Sequence, residues 1–281
     1  MTYHSKFTLQ AITLLPLVLL IGCSSTKNIN ADDNAALNNN QTGVLTLVAN
    51  GEDFVRQGFV SKDGWRIDFD SVYVTFHTAK AYVTEPAFQP EQTTSLKPKL
   101  TISLLEKPKT IDLAKGDENA APILVSQVKA PAYKYNAISW SLTAAEEGEN
   151  KGKTIILKGK AQKNGKTINF NLGFDQKLAY ECGEFVGEQR KGFVPAGGEG
   201  ELEATFHFDH LFGSADLPAQ DTLNQEALGF EPLAKLAKNN QITADTKFLQ
   251  ANLSPSDYAK LENAIASLGH VGEGHCRLVK Q

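Results

Sequence analysis

The chain of 281 residues has one methionine, three cysteines and no block of basic residues. With a net charge of −4 and a pI near 5.9, it offers no positive face to a phosphate backbone, which argues against nucleic acid as a partner. Only one stretch is apolar enough to enter a bilayer, so a multi-span protein is excluded. No glycine-rich phosphate loop precedes a helix, no serine stands in a nucleophile elbow, and there is no internal repeat. What is present is apolar material for a core: 41% of residues are hydrophobic, which excludes disorder throughout. Fifteen phenylalanines against one methionine tilt the expectation towards a β-rich core.

The amino terminus reads as an address. Lys6 precedes an apolar run, Ala11–Ile21, of signal-peptide length and too short to span as a helix. The run ends in Leu20-Ile21-Gly22-Cys23, which resembles the lipobox of bacterial lipoproteins. The resemblance implies removal of residues 1–22 as a signal peptide and a lipid on Cys23. Ser24, in place of Asp, implies sorting to the outer membrane. It also implies an oxidising, extracytoplasmic compartment. There, the two remaining cysteines, Cys182 and Cys276, are expected to form a disulfide. Closing a loop of about 94 residues is worth roughly 4–5 kcal/mol in the chain-entropy treatment. The alternative is a pair of thiolates on a soft metal.

Residues 23–42 are asparagine-rich and nearly devoid of apolar side chains. They read as a disordered tether that spans roughly 25 Å as a coil. From 43 to 213 the hydrophobic pattern has period two. Val44–Val48, Leu100–Leu105 and Tyr135–Leu142 read as strands. Trp65, Ile67 and Phe69 alternate, then Val72, Val74 and Phe76 alternate on shifted parity, so a bulge or a change of strand is expected near Asp70–Ser71. Ile155–Lys163 and Lys166–Phe174 flank Asn164-Gly165, the pair that supplies two positive-φ positions to a tight hairpin. Residues 201–209 read as a further strand with Leu202, Ala204, Phe206 and Phe208 inward. The expected architecture is mainly β: an antiparallel β-sandwich over 43–213 with a small helical cap and carboxy-terminal tail over 214–281. Glu231-Pro232 opens one helix of the cap. Ser254-Pro255-Ser256-Asp257 opens another, with Tyr258, Leu261, Ile265 and Leu268 at helical spacing and Gly269 at its stop.

Four histidines crowd the last 75 residues, in Thr205-Phe206-His207-Phe208-Asp209-His210 and Gly269-His270-Val271-Gly272-Glu273-Gly274-His275-Cys276. On a strand, His207 and Asp209 would share one face. His210 follows where the strand ends, and Gly272 and Gly274 would let the tail bend. The expected bridge would bring His275 towards Glu181, Cys182 and Glu184. The candidate metal ligands are therefore His207, Asp209, His210, His270 and His275, with Glu181 or Glu184 in reserve. Imidazole and carboxylate suit Zn²⁺ and Cu²⁺, and the affinity order favours copper. The spacing matches none of the tight zinc patterns. The alternatives are a structural polar network in which His207 and Asp209 anchor the cap, or a small-molecule pocket. Asp68 and Asp70 read as a solvated strand face, Gly197-Gly198-Glu199-Gly200 as a turn, and Trp140 and Tyr135 as core. No catalytic constellation emerges.

Asn50-Gly51-Glu52-Asp53-Phe54, Trp65 through Phe76, Thr110-Ile111-Asp112-Leu113 and Ala130 through Trp140 are similar to bacterial lipoproteins with a prealbumin-like or Ig-like sandwich. They resemble, more distantly, the periplasmic copper-binding domain associated with methanobactin operons. The resemblance covers roughly residues 43–213 and implies a sandwich and extracytoplasmic metal handling. It carries no ligand set onto the histidine segments. The function expected from the sequence is a lipid-anchored, non-enzymatic Cu or Zn binder facing the periplasm, with a metal transporter or receptor of the envelope as partner. Its rivals are a structural or adhesive envelope module and a metal-assisted hydrolase with Glu184 or Glu273 as base.

Overall fold

The computed structural model describes residues 41–92 and 95–279. The expected signal segment, Cys23 and the tether as far as residue 40 lie outside the described residues. Along the chain come β1 (Thr42–Asn50), α1 (Glu52–Gln57), β2 (Phe59–Val60), β3 (Arg66–Thr84), β4 (Pro98–Leu105), β5 (Lys109–Asp112), β6 (Ile123–Pro131) and β7 (Ala137–Leu142). They are followed by β8 (Ile155–Lys163), β9 (Lys166–Phe174), β10 (Leu178–Cys182), β11 (Glu199–Phe206), α2 (Asp209–Phe212), α3 (Thr222–Glu226) and α4 (Glu231–Leu236). The chain ends in β12 (Gln241–Asp245), α5 (Thr246–Asn252), α6 (Pro255–Ala266), β13 (Gly269–Val271), β14 (Gly274–His275) and β15 (Arg277–Leu278).

Among the described residues the strands make two sheets. One runs β14-β13-β11-β1-β6; the other runs β12-β9-β8-β3-β7-β10-β15, with β2, β4 and β5 also paired to β3. The 19-residue β3 organises the larger sheet. One of its edges holds β8 and then β7; the other holds β2, β5 and β4. The parity shift in its sequence is a bulge within one strand, because the β3–β8 register slips between Phe69 and Ser71. The Asn164-Gly165 turn closes β8 and β9 in register, Lys163 opposite Lys166, with φ of 50° and 78° at the two turn residues.

The two sheets bury their apolar faces in one core. Phe76 of β3 meets Phe206 of β11 edge-on at 5.9 Å, and Trp140 of β7 lies against Phe206 and Tyr180. Two features depart from an all-antiparallel sandwich. β1 runs parallel to β11, and β12 runs parallel to β9. The segment 214–281 is therefore more than a helical cap: it lends β12 and β15 to one sheet and β13 and β14 to the other. Its helix starts obey the sequence. Ser254 Oγ accepts from the Asp257 amide at 3.1 Å with Pro255 in the first turn. The expected disulfide joins Cys182 at the end of β10 to Cys276, between β14 and β15.

Candidate metal centre

The site forms where β11 stops. Phe206 is fully buried, and the His207 amide donates to the Leu268 carbonyl at 3.1 Å. Phe208, also fully buried, pins the chain as it turns into α2. His207 and Asp209 therefore do not share a strand face as expected. The strand ends at Phe206, and a helical turn, with the His210 amide donating to the His207 carbonyl at 3.2 Å, swings His210 back towards His207.

The second arm comes from the tail. α6 ends at Ala266, and the chain returns as β13 against β11, placing His270 opposite Thr205. A turn through Gly272 and Glu273 then sets His275 opposite His270 on β14. The turn needs glycine: Gly272 has φ of +55°, and a Cβ there would lie 2.0 Å from the Val186 carbonyl oxygen. The Gly272 amide donates to Thr205 Oγ1 at 3.0 Å, which ties the turn to β11.

Four of the five expected ligands thereby become a continuous imidazole cluster. The His207 and His270 rings stack with centroids 4.0 Å apart, His210 sits edge-on to His270 at 5.0 Å, and His275 lies 4.5 Å from His270 on its outer side. Donor atoms of His207, His210 and His270 all fall within 4.8 Å of one another, so these three could hold a metal ion. His275 is exposed and stands at the rim of that triad. Asp209 is in the first turn of α2, outside the triad, with Oδ1 buried and unpartnered. The carboxylates held in reserve are engaged elsewhere: Glu181 pairs with Arg277, and Glu184 pairs with Lys134 at 2.7 Å.

The structure adds one residue that the sequence reading left out of the site. β1 runs beside β11 with Asn50 level with Thr205, so the residues just past β1 arrive at His207. Glu52 Oε1 lies 3.2 Å from His207 Nε2. Glu52 holds φ of +57°, unusual for a residue with a Cβ. Strain of this kind collects at functional positions.

The protonation of the cluster follows from its surroundings. Burial pulls His207 down, but the Glu52 carboxylate, with Asp209 and Glu273, outweighs it and raises the ring above its ordinary value. Burial, reinforced by the charges of His207 and His275, lowers His210 to about 4. Burial and the three neighbouring imidazoles lower His270 to about 2. Burial raises the Asp209 carboxyl, which the charge of His207 partly offsets. At neutral pH, His210 and His270 thus present unprotonated lone pairs, as metal ligation requires. His270 is 2% exposed, and neither of its ring nitrogens has a hydrogen-bond partner at good geometry, the Ser267 carbonyl making only a weak approach. Buried polar groups are nearly always satisfied, and a metal ion would satisfy this one.

Beside the cluster lies a cleft of about 650 Å³ whose charged lining is Glu52, Asp53, Asp216 and Glu273 against one cation, Arg66. Its acidic character favours the approach of a cation. Compared with protein-family models, curated proteins and solved structures, the chain has no match in any of the three.

Proposed function

We propose that the chain is a lipid-anchored, extracytoplasmic, non-enzymatic metal-binding protein that holds one Zn²⁺ or Cu²⁺ on His207, His210 and His270, with His275 at the rim. The observation that carries this reading is His270, buried with two orphaned nitrogens at the centre of an imidazole cluster. A packing network, the chief rival, would be expected to satisfy that ring; His207 and His210 each have well-formed partners, whereas His270 has at most a weak approach to the Ser267 carbonyl. Three imidazoles suit either metal, and the affinity order favours copper.

The anchor itself is proposed from the lipobox resemblance of Leu20 to Cys23. Among the described residues no helix is long and apolar enough to cross a membrane. The anchored segment would join the fold at the start of β1, whereas the histidines sit beyond its end. Nine residues of strand separate the two by about 26 Å. A metal held there would be passed to a transporter or receptor of the envelope.

The test is titration of chelator-treated, disulfide-intact protein with Zn²⁺ and Cu²⁺ by calorimetry. One equivalent binding at micromolar affinity or tighter is expected, and His207→Ala or His270→Ala should abolish it. Absence of binding, or binding indifferent to both substitutions, would end the proposal.

A further inference from the structure

The hydrogen bonds around the cluster decide which nitrogen of each ring can face a ligand. His207 Nε2 lies 3.2 Å from Glu52 Oε1 and 3.2 Å from the Gly272 carbonyl oxygen. A carboxylate and a carbonyl only accept, so Nε2 must carry a hydrogen, and the lone pair of the neutral ring is on Nδ1. The same reasoning fixes His210. Its Nδ1 lies 3.1 Å from Ser267 Oγ, and that hydroxyl donates its own hydrogen to the Ala264 carbonyl at 3.1 Å. Ser267 therefore accepts from His210 Nδ1, which leaves Nε2 of His210 with the lone pair. His270 is uncommitted at both nitrogens.

We propose that Glu52 is the positioning residue of the site: with the Gly272 carbonyl it locks His207 in the Nε2–H tautomer, so that His207 offers Nδ1 to a divalent transition metal while His210 offers Nε2. This rests on the metal-binding reading above. Metal-bound histidines characteristically donate their second ring N–H to a carboxylate or carbonyl, and that outer contact sets ring orientation and basicity. Glu52 is placed for the task at the expense of its backbone. Its φ of +57° is a position that glycine occupies freely, and its amide is held by Asn50 Oδ1 at 2.9 Å. Elsewhere in this chain the non-glycine residues at positive φ are asparagines, Asn164, Asn239 and Asn240; the side chain present here is the one that reaches His207.

The experiment uses the full, disulfide-intact chain with ¹⁵N-labelled histidine. Long-range ¹H–¹⁵N spectra of the metal-free protein, at a pH that leaves the His207 ring neutral, should show hydrogen on Nε2 of His207. Glu52→Gln keeps an accepting oxygen, so the tautomer should persist and zinc affinity should change only a few-fold. Glu52→Gly relieves the backbone but forfeits the contact with His207, so its melting temperature should change little. With only the Gly272 carbonyl left to accept from Nε2, it should shift the His207 tautomer population part-way towards Nδ1–H and bind zinc about 10- to 100-fold more weakly. A merely structural role would move stability and leave the tautomer alone. Hydrogen on Nδ1 of neutral wild-type His207, or unchanged zinc affinity in Glu52→Gly, would overturn the proposal. If wild type itself bound no zinc, the metal reading would fall, and the metal-free spectra of wild type and Glu52→Gly would still decide the role of Glu52.

Discussion

Replacing His270 by leucine should stabilise the metal-free protein while destroying its response to metal. His270 is buried with two unpartnered nitrogens, and an unsatisfied buried polar group costs about 1–3 kcal/mol. Leucine fills a comparable volume with no polar atom, against a packing penalty that for well-matched swaps stays below about 1.5 kcal/mol. In chelator, the difference between those terms runs from about −0.5 to about 3 kcal/mol and centres on roughly 1 kcal/mol of stabilisation. For a domain of this size each kcal/mol moves the Tm by about 2–4 °C. Zinc at a hundred times its Kd should stabilise wild type by about 2.7 kcal/mol and leave the variant unmoved. The ranking of the two proteins thus inverts between chelator and zinc. Thermal melts followed by near-UV circular dichroism in both conditions would show it. A variant destabilised by more than about 2 kcal/mol in chelator, the cost typical of a damaged core, would refute the reasoning. So would a variant that zinc stabilises as it does wild type.

Serine at both Cys182 and Cys276 opens a 94-residue loop and should cost about 4–5 kcal/mol in urea denaturation; a loss under about 1 kcal/mol would contradict the stapling role. Metal affinity should fall as pH drops through the raised pKa of His207, because its proton must leave, whereas His210 and His270 are already neutral. Calorimetry in buffers of different ionisation enthalpy should detect that single proton. In chelator, His210 and His270, depressed from 6.5 to about 4 and about 2, should cost stability as pH falls below about 6.5, since the unfolded chain takes up their protons first. The His207 contribution has the opposite sense: it is complete below about 6.5 and lost as pH rises through its raised value. Acid unfolding that starts only well below pH 4 would count against two neutral buried imidazoles. Gly165→Ala, forced to φ of +78° in the hairpin turn, should destabilise by about 1–2 kcal/mol.

Local rules made much of this fold legible. Asn164-Gly165 marked a hairpin because few other dipeptides accept two positive φ values, and the parity slip at Asp70–Ser71 marked the bulge because strand side chains alternate. Ser254-Pro255 marked α6 through capping chemistry. The disulfide followed from an even count of cysteines in an inferred oxidising compartment. The pairings that escaped were the long-range ones. Nothing local in Thr42–Asn50 tells that it lies parallel to a strand some 150 residues on, yet that register delivers Glu52 to His207. Nor does alternation reveal that β11 stops at Phe206: Phe208 keeps the inward beat although the backbone has already turned. The histidines were found from their crowding in the chain; their grouping, with His275 at the rim and Asp209 outside the triad, needed the β11–β13 register.

The central claim is that imidazoles from the end of β11 and from the tail share one metal ion. Anomalous diffraction from crystals of the zinc-loaded chain tests it most directly. The account predicts a single strong site with nitrogens of His207, His210 and His270 at about 2.0–2.1 Å. A zinc ion bound elsewhere, or one contacting only a single one of those three rings, would contradict it.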